Sequence, residues 1–375
     1  MLRIITGRTG SGKTRKVRSV IADIAKISSD KAIIIVPEQF SFETERAMLS
    51  LLGNEKVNNA EVLSFSRLAE KLLEKFGKLP EKTVDDAARA ILMSIAVESL
   101  QDKTVSFRKY IKNPALINEL VAFRKELKKC RISPESLSIV SGKMRRESFS
   151  LKLSELAEIY CCYDALVSDS FGDDTDYLDI LSDVLETEDF FKGKTVAVDG
   201  FSGFSAQEYS VLEKIMKTAD ELYVTFCYDS EARNGKYEVF RNVYNEIKTL
   251  TDIANRAGVK IASRENLLPK EEYKAPELNF LEKNLFGSKK ERLDGYVSAV
   301  CLIPCKNKKD ECDAVAAEIR KLVRTENYRY RDIAVIERSE NSYKNDLANS
   351  FRKYGIKCFF DSRQPVLTQP LIVFI

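Results

Sequence analysis

The sequence predicts an α/β protein: a parallel sheet broken by a helical insertion and followed by the start of a second α/β unit. Three observations predict it. Residues 7–14 read Gly7-Arg8-Thr9-Gly10-Ser11-Gly12-Lys13-Thr14, a complete G-x-x-x-x-G-K-T straight after the apolar run Leu2–Ile5. Apolar runs then alternate with helix-period stretches in β-α-β-α-β order, which implies parallel strands joined by right-handed crossovers. From about Pro80 to Asp189 the strand pattern disappears, and it returns at Thr195–Asp199.

Each element follows from its own residues. The glycines of 7–14 let the chain curl, so that backbone N–H groups and the next helix's N-terminus converge on phosphate oxygens. Lys13 suits the β/γ-phosphates and the Thr14 hydroxyl suits Mg²⁺, which makes ATP the first ligand to consider. Val17, Val20, Ile21 and Ile24 give the following helix its apolar stripe. Lys31–Pro37 is a continuous apolar run, as in a strand buried on both faces. A helix is expected over Glu43–Leu52, a strand over Glu61–Phe65, and a helix carrying Leu68, Leu72, Leu73 and Phe76. Within the insertion, Ala87–Leu100, Pro114–Arg131, Leu151–Val167 and Asp176–Leu185 read as helices. Asp173, Asp174 and Asp176 resemble metal ligands, but Asp and Thr ahead of an apolar run cap a helix. Arg124, Lys128 and Arg131 form a helical stripe, read as a solvated face with DNA-backbone contact as the alternative.

The sheet resumes with Thr195–Asp199, a helix from about Ala206 to Lys217, and a strand at Leu222–Phe226. A further helix and a charged stretch, Arg264–Glu291, read as a linker. The second unit is expected as strand Ser298–Ile303, helix Asp310–Val323, strand Ile333–Ile336, helix Tyr343–Tyr354 and strand Cys358–Asp361. The apolar run Gln369–Ile375 stops without a polar tail, which points to a piece of a longer chain.

Composition excludes several chemistries. There is no histidine, so imidazole catalysis and His-ligated metal are absent from these residues. The eight cysteines form no C-x-x-C pair, and reduced, mostly buried thiols are expected. Net charge is only +3, so any nucleic-acid surface must be local. No 18-residue apolar run exists and the first residues already read as a core strand, so neither a membrane span nor a signal peptide is expected, and a cytoplasmic location follows.

Asp199 closes an apolar strand, where an ATPase of this loop type holds Mg²⁺ through water. The next residue is Gly200, not the acid that would polarise an attacking water. The run Val198-Asp199-Gly200-Phe201-Ser202-Gly203-Phe204-Ser205-Ala206-Gln207-Glu208 strongly resembles AddB, the B-subunit family of the bacterial ATP-dependent helicase–nucleases AddAB. So do Val36-Pro37-Glu38-Gln39-Phe40-Ser41, Leu63-Ser64-Phe65-Ser66-Arg67-Leu68 and Tyr330-Arg331-Asp332-Ile333-Ala334-Val335, in the family's order and across essentially the whole chain.

The resemblance implies a P-loop RecA-like sheet over residues 1–80 and 190–290, a helical subdomain over 81–189, and the truncated start of a second RecA-like domain over 291–375. It implies ATP and Mg²⁺ as cofactors, an AddA-type helicase–nuclease partner, and single- and double-stranded DNA ends as substrates in recombinational repair, with scanning for the hotspot Chi. Gln39, Phe40, Ser64 and Phe65 match loops that grip single-stranded DNA. Whether Phe40 and Phe65 stack on bases or pack under their own loops stays open. Arg338 matches the arginine that reaches the γ-phosphate from the second domain. The family's exonuclease domain and its iron–sulfur cluster belong to a C-terminal part outside residues 1–375.

Departures accompany the match. Gly200 replaces the catalytic acid, no adenine-reading glutamine segment precedes Leu2, and Cys227-Tyr228-Asp229 stands where a glutamine-bearing sensor would be. The expectation is therefore an ATP-binding, motor-degenerate module with weak ATPase at most. A small-molecule kinase or other P-loop NTPase, and a scaffold with a vestigial loop, are the rival readings.

Overall fold

A computed structural model describes residues 1–375 except 29–30, 169–170, 230–237, 269–274, 286–290, 296, 339 and 361–375. Asp361 and the run Gln369–Ile375 lie outside the described residues. The chain divides into two compact units, residues 1–273 with 282–291, and residues 274–281 with 292–375.

The first unit holds a six-stranded, wholly parallel sheet: β1 (Leu2–Gly7), β2 (Ala32–Ile35), β3 (Ala60–Leu63), β4 (Thr195–Val198), β5 (Glu221–Cys227) and β6 (Glu265–Asn266), in spatial order β3-β2-β4-β5-β1-β6. Strands β2 and β4 are buried along their full length, as the apolar runs Ala32–Ile35 and Val196–Val198 require. Helix α1 (Lys13–Ile27) and helix α2 (Ser41–Lys56) close one face over Ile5, Val17, Ile21, Ile34 and Met48. Helix α3 (Phe65–Lys75) packs into the larger core on the other face.

The insertion forms α4 (Asp86–Ser99), α5 (Pro114–Lys129), α6 (Pro134–Ser141) and α7 (Glu147–Ser168) around its own core, which includes Met93, Val97, Leu120, Ile159 and Tyr160. Helix α8 (Tyr177–Val184) departs from the expected grouping. Tyr177 and Leu181 enter the sheet's core, where α8 packs on α3 and on α9 (Ala206–Thr218). Its apolar stripe faces the sheet, so the separately cored helical body ends near Val167.

Helix α10 (Arg241–Arg256) and α11 (Pro276–Asn284) follow. The expected linker Arg264–Glu291 contains a structural element: Glu265 and Asn266 pair with Ile5 and Thr6 at the sheet edge. Two polar residues carry no apolar signal, so only backbone pairing reveals them.

In the second unit, α12 (Lys308–Thr325) and α13 (Glu340–Tyr354) pack through Cys312, Ala316, Ile319, Leu347 and Phe351. The expected strands at 298–303, 333–336 and 358–361 form no ladder among the described residues, and Leu302, Ile336 and Phe359 are exposed. An apolar run becomes a strand only when a neighbour supplies its ladder bonds. The second and third of these segments border a cavity of about 890 Å³.

The cysteines are all free, as expected, but six are exposed and only Cys312 is buried. Cys130 and Cys161 fall at an outer helix end and on an outer helix face. Cys301, Cys305 and Cys358 lie in the ladder-free segments of the second unit. Among the described residues no helix is long and apolar enough to cross a membrane.

Candidate functional site

The Gly7–Thr14 loop joins β1 to α1 at the carboxyl end of the sheet, where ligands of parallel α/β folds collect. Gly12 sits at φ 86° and Gly10 at φ 80°, conformations an L side chain resists, which is why these positions are glycine. Gly12 precedes the first turn of α1. It offers no side-chain cap, and that turn contains no acid, so its amides face the loop uncapped.

Lys13 folds back over this curl. Its Nζ donates to the carbonyls of Gly7 and Arg8, both at 2.8 Å, and to Ser11 Oγ at 3.4 Å. Burial lowers its pKa below the usual lysine value, partly offset by Cys227 and Asp199. Thr14 follows in the same turn, half-buried. Ser11 is buried and its amide donates to Arg8 O at 3.2 Å. Arg8 turns away from the curl, to Glu282 at 2.7 Å and Asp229 at 3.3 Å. Thr9 Oγ1 lies 3.6 Å from Cys227 Sγ. A cavity of about 510 Å³ adjoins the loop between Gly10, Gly12, Arg15, Lys16, Glu265 and Leu267.

Asp199 lies just past β4, buried at 4% exposure, with its amide bonded to Ile35 O at 3.0 Å. Thr225 on β5 donates its hydroxyl to Asp199 Oδ1. Sequence reasoning missed Thr225, although a polar residue inside the apolar strand Leu222–Phe226 was a signal. Gly200 follows at φ 85°, and a Cβ there would meet Pro37 Cδ at 3.4 Å and Phe40 Cδ2 at 3.5 Å. The residue after Asp199 is thus tied to the Glu38–Phe40 turn.

The DNA-loop candidates separate. Gln39 is exposed and Phe40 is 40% exposed. Phe65 is buried at 4%, with ring centroids of Phe201 and Phe204 at 5.4 and 6.3 Å. Of the two alternatives left open for Phe65, packing under its own loops is the one observed, because Phe201 and Phe204 pack onto it. Ser64 is a helix cap: its Oγ accepts from Arg67 N and donates to Glu38 Oε2, both at 3.2 Å. Arg338, in the second unit, is exposed beside the 890 Å³ cavity.

The remaining charged features are internal. Asp173 caps the turn at Thr175 at 3.0 Å and binds Arg89 and Lys128, each at 2.9 Å. Lys128 also holds Asp176 at 2.7 Å. Burial opposes charge on Asp173, yet Lys128 and Thr175 outweigh it and hold that carboxyl far below the usual range. Arg124 grips Asp164 through two bonds of 3.1 and 2.6 Å, and Arg131 reaches Asp179 at 2.9 Å. The expected solvated stripe is therefore a network of ion pairs, a correction whose cause is carboxylates about 40 residues away in sequence. Among the described residues no group of three or more Cys, Asp or Glu could hold a metal ion.

The family model described as ADDB, N-terminal, matches residues 4–282. Over its full length the chain is 29% identical to the B subunit of the ATP-dependent helicase/deoxyribonuclease of Clostridium perfringens strain 13. It is 31% identical to the B subunit of the same name from Thermoanaerobacter sp. strain X514 and 28% to that from Acetivibrio thermocellus. The chain spans 33% of the length of each of these relatives. With the family model covering most of its residues, the chain belongs to the AddB family.

Proposed function

We propose that this chain is the ATP-binding, P-loop RecA-like portion of the B subunit of a helicase–nuclease that processes double-strand DNA ends. The observation that carries the reading is Lys13. Its ammonium is held over the curl by carbonyl oxygens at the uncapped start of α1, with no carboxylate hydrogen-bonded to it among the described residues. Carbonyls position a lysine without cancelling its charge, so an incoming polyphosphate finds a cation and free amides together.

The residues present fit Mg-ATP. Lys13 would meet the outer phosphates, with Gly10 and Gly12 supplying backbone amides around them. Thr14 and Asp199 would hold Mg²⁺, which usually takes one or two protein ligands plus phosphate oxygens and water. Bound there, Mg-ATP would supply a phosphoanhydride, and Arg338, an exposed guanidinium of the second unit, is the proposed partner of its γ-phosphate. Gly200 leaves no base beside Asp199, so these residues bind and orient the nucleotide without activating water, and the module is motor-degenerate. Gln39 and Phe40 engage single-stranded DNA, in a role consistent with Chi scanning, while Ser64 and Phe65 brace that loop from below. An AddA-type subunit is the partner that carries the motor. The nuclease and its iron–sulfur cluster belong to the remainder of the protein.

Equilibrium Mg-ATP binding tests this. The wild-type chain is expected to gain melting temperature with saturating Mg-ATP, and Lys13→Ala to lose that gain while keeping its fold. An unchanged wild-type melting temperature would favour the vestigial scaffold. Brisk DNA-stimulated hydrolysis would remove the degeneracy.

A further inference from the structure

The cations of the helical body fall into two populations. Arg89, Arg124, Lys125, Lys128 and Arg131 are each paired with carboxylates. Lys103, Arg108, Lys109 and Lys112, in the segment between α4 and α5, are exposed and form no ion pair with a described residue. The same holds for Lys143, Arg145 and Arg146 at the α6–α7 corner.

The two stretches share one end of the body. Glu155 on α7 accepts the amides of Val105 at 2.7 Å and Ser106 at 3.0 Å, and Lys152 lies 5.7 Å over the Phe107 ring. Ser150 Oγ donates to Ser141 O at 2.8 Å, which fixes the corner to the start of α7. Glu155 lies eight residue steps along α7 from Glu147, so the surface extends about 12 Å along the helix. Residues 102–112 and 142–155 together hold eight Lys and Arg against three carboxylates, one of them Glu155, which is spent on backbone amides. This local excess exceeds the net +3 of the whole chain. Apolar rings stand among the cations: Tyr110 is 56% exposed and Phe149 49%.

We propose that this end of the helical body is a second binding surface for single-stranded nucleic acid, apart from the Gln39–Phe40 loop. Unpaired cations track the phosphates, and Phe149 and Tyr110 offer faces for bases. The exposed rings favour a single strand over a duplex, whose bases are already stacked. The inference takes from the proposed function only the identity of the polyanion, and it needs no nucleotide.

The test is fluorescence anisotropy of the full 375-residue chain with an oligothymidylate of about 16 nucleotides. A hairpin duplex and a poly-glutamate peptide serve as competitors, across a salt series. Arg145→Glu with Arg146→Glu is expected to weaken oligonucleotide binding about tenfold or more at low salt. It should also flatten the salt slope by roughly 1.4, at about 0.7 per lost phosphate contact. Phe149→Ala is expected to weaken binding about fivefold or more with the slope unchanged. Mg-ATP binding should be intact in both. If the charge-reversed chain misfolds by melting, Arg145→Gln with Arg146→Gln carries the measurement.

Wild-type affinity in the charge variants would overturn the proposal, as would preferential binding of the duplex with Phe149→Ala silent, or stronger binding of poly-glutamate. Phe40→Ala, run alongside, separates the two surfaces. If it alone abolishes binding, the second surface is lost and the Gln39–Phe40 reading stands.

Discussion

Lys13 and Lys128 are the same residue in two electrostatic settings. Lys128 has its side chain 9% exposed and is clamped between Asp173 and Asp176 at 2.9 and 2.7 Å. Lys13 is half-buried and bonded to the uncharged oxygens of Gly7, Arg8 and Ser11. One cation is consumed by the fold and the other remains available to a ligand. The difference lies in what the neighbours bring. Carboxylates neutralise a lysine, whereas carbonyls only aim it.

The largest expected effect follows from the consumed cation. Lys128→Ala leaves Asp173 and Asp176 without their partner and should cost about 3–5 kcal/mol, read by denaturant unfolding, with Mg-ATP binding untouched. Its pH dependence follows from Asp173; burial pushes the Asp176 carboxyl the other way, upward, which works against it. Asp173 titrates lower in the folded state than in the unfolded chain. Its contribution is therefore complete above the ordinary Asp value of about 4 and fades as pH falls toward the depressed one. Melting of the wild-type chain should decline over that acid window, and Lys128→Ala should show less decline. An unchanged unfolding midpoint in the variant would make the two lysines equivalent.

Lys13→Ala is the counterpart, with nucleotide affinity expected to drop roughly a hundredfold and stability little changed. Gly200→Glu probes the same end of the sheet with a smaller effect. Placing an acid at φ 85° should cost about 1–2 kcal/mol through backbone strain, and no ATPase is expected, since the strained side chain is not aimed at a bound nucleotide. Appearance of DNA-stimulated turnover would mean that the acid alone was lacking. The smallest change, Ser64→Ala, removes the cap of α3 and should cost about 1 kcal/mol by thermal melting.

Much of the sheet was legible because strands buried on both faces are mainly apolar, as in Ala32–Ile35 and Val196–Val198. Strand β6 was not, since Glu265 and Asn266 bring no apolar side chain and join the sheet by pairing with Ile5 and Thr6. The Gly7–Thr14 curl and the place of Asp199 at a strand end could be read from spacing, because both are local arrangements. Thr225, the hydroxyl partner of Asp199, lies 26 residues away and is brought there only by the β4–β5 register. The stripe Arg124, Lys128, Arg131 misled for the same reason. Helical spacing reveals which side chains share a face, but not which carboxylates the fold delivers to it. Phe40 and Phe65 were indistinguishable until the rings of Phe201 and Phe204 were seen to cover one of them.

The two threads entering and leaving the helical body run side by side: Val84 N bonds to Gly172 O at 2.9 Å and Gly172 N to Lys82 O at 2.8 Å. An excursion of nearly ninety residues thus begins and finishes at one doorstep, and the sheet's connectivity is indifferent to what happens beyond it. Such a module can be trimmed, enlarged or exchanged over evolutionary time by joining its touching ends, with strand order left as it was.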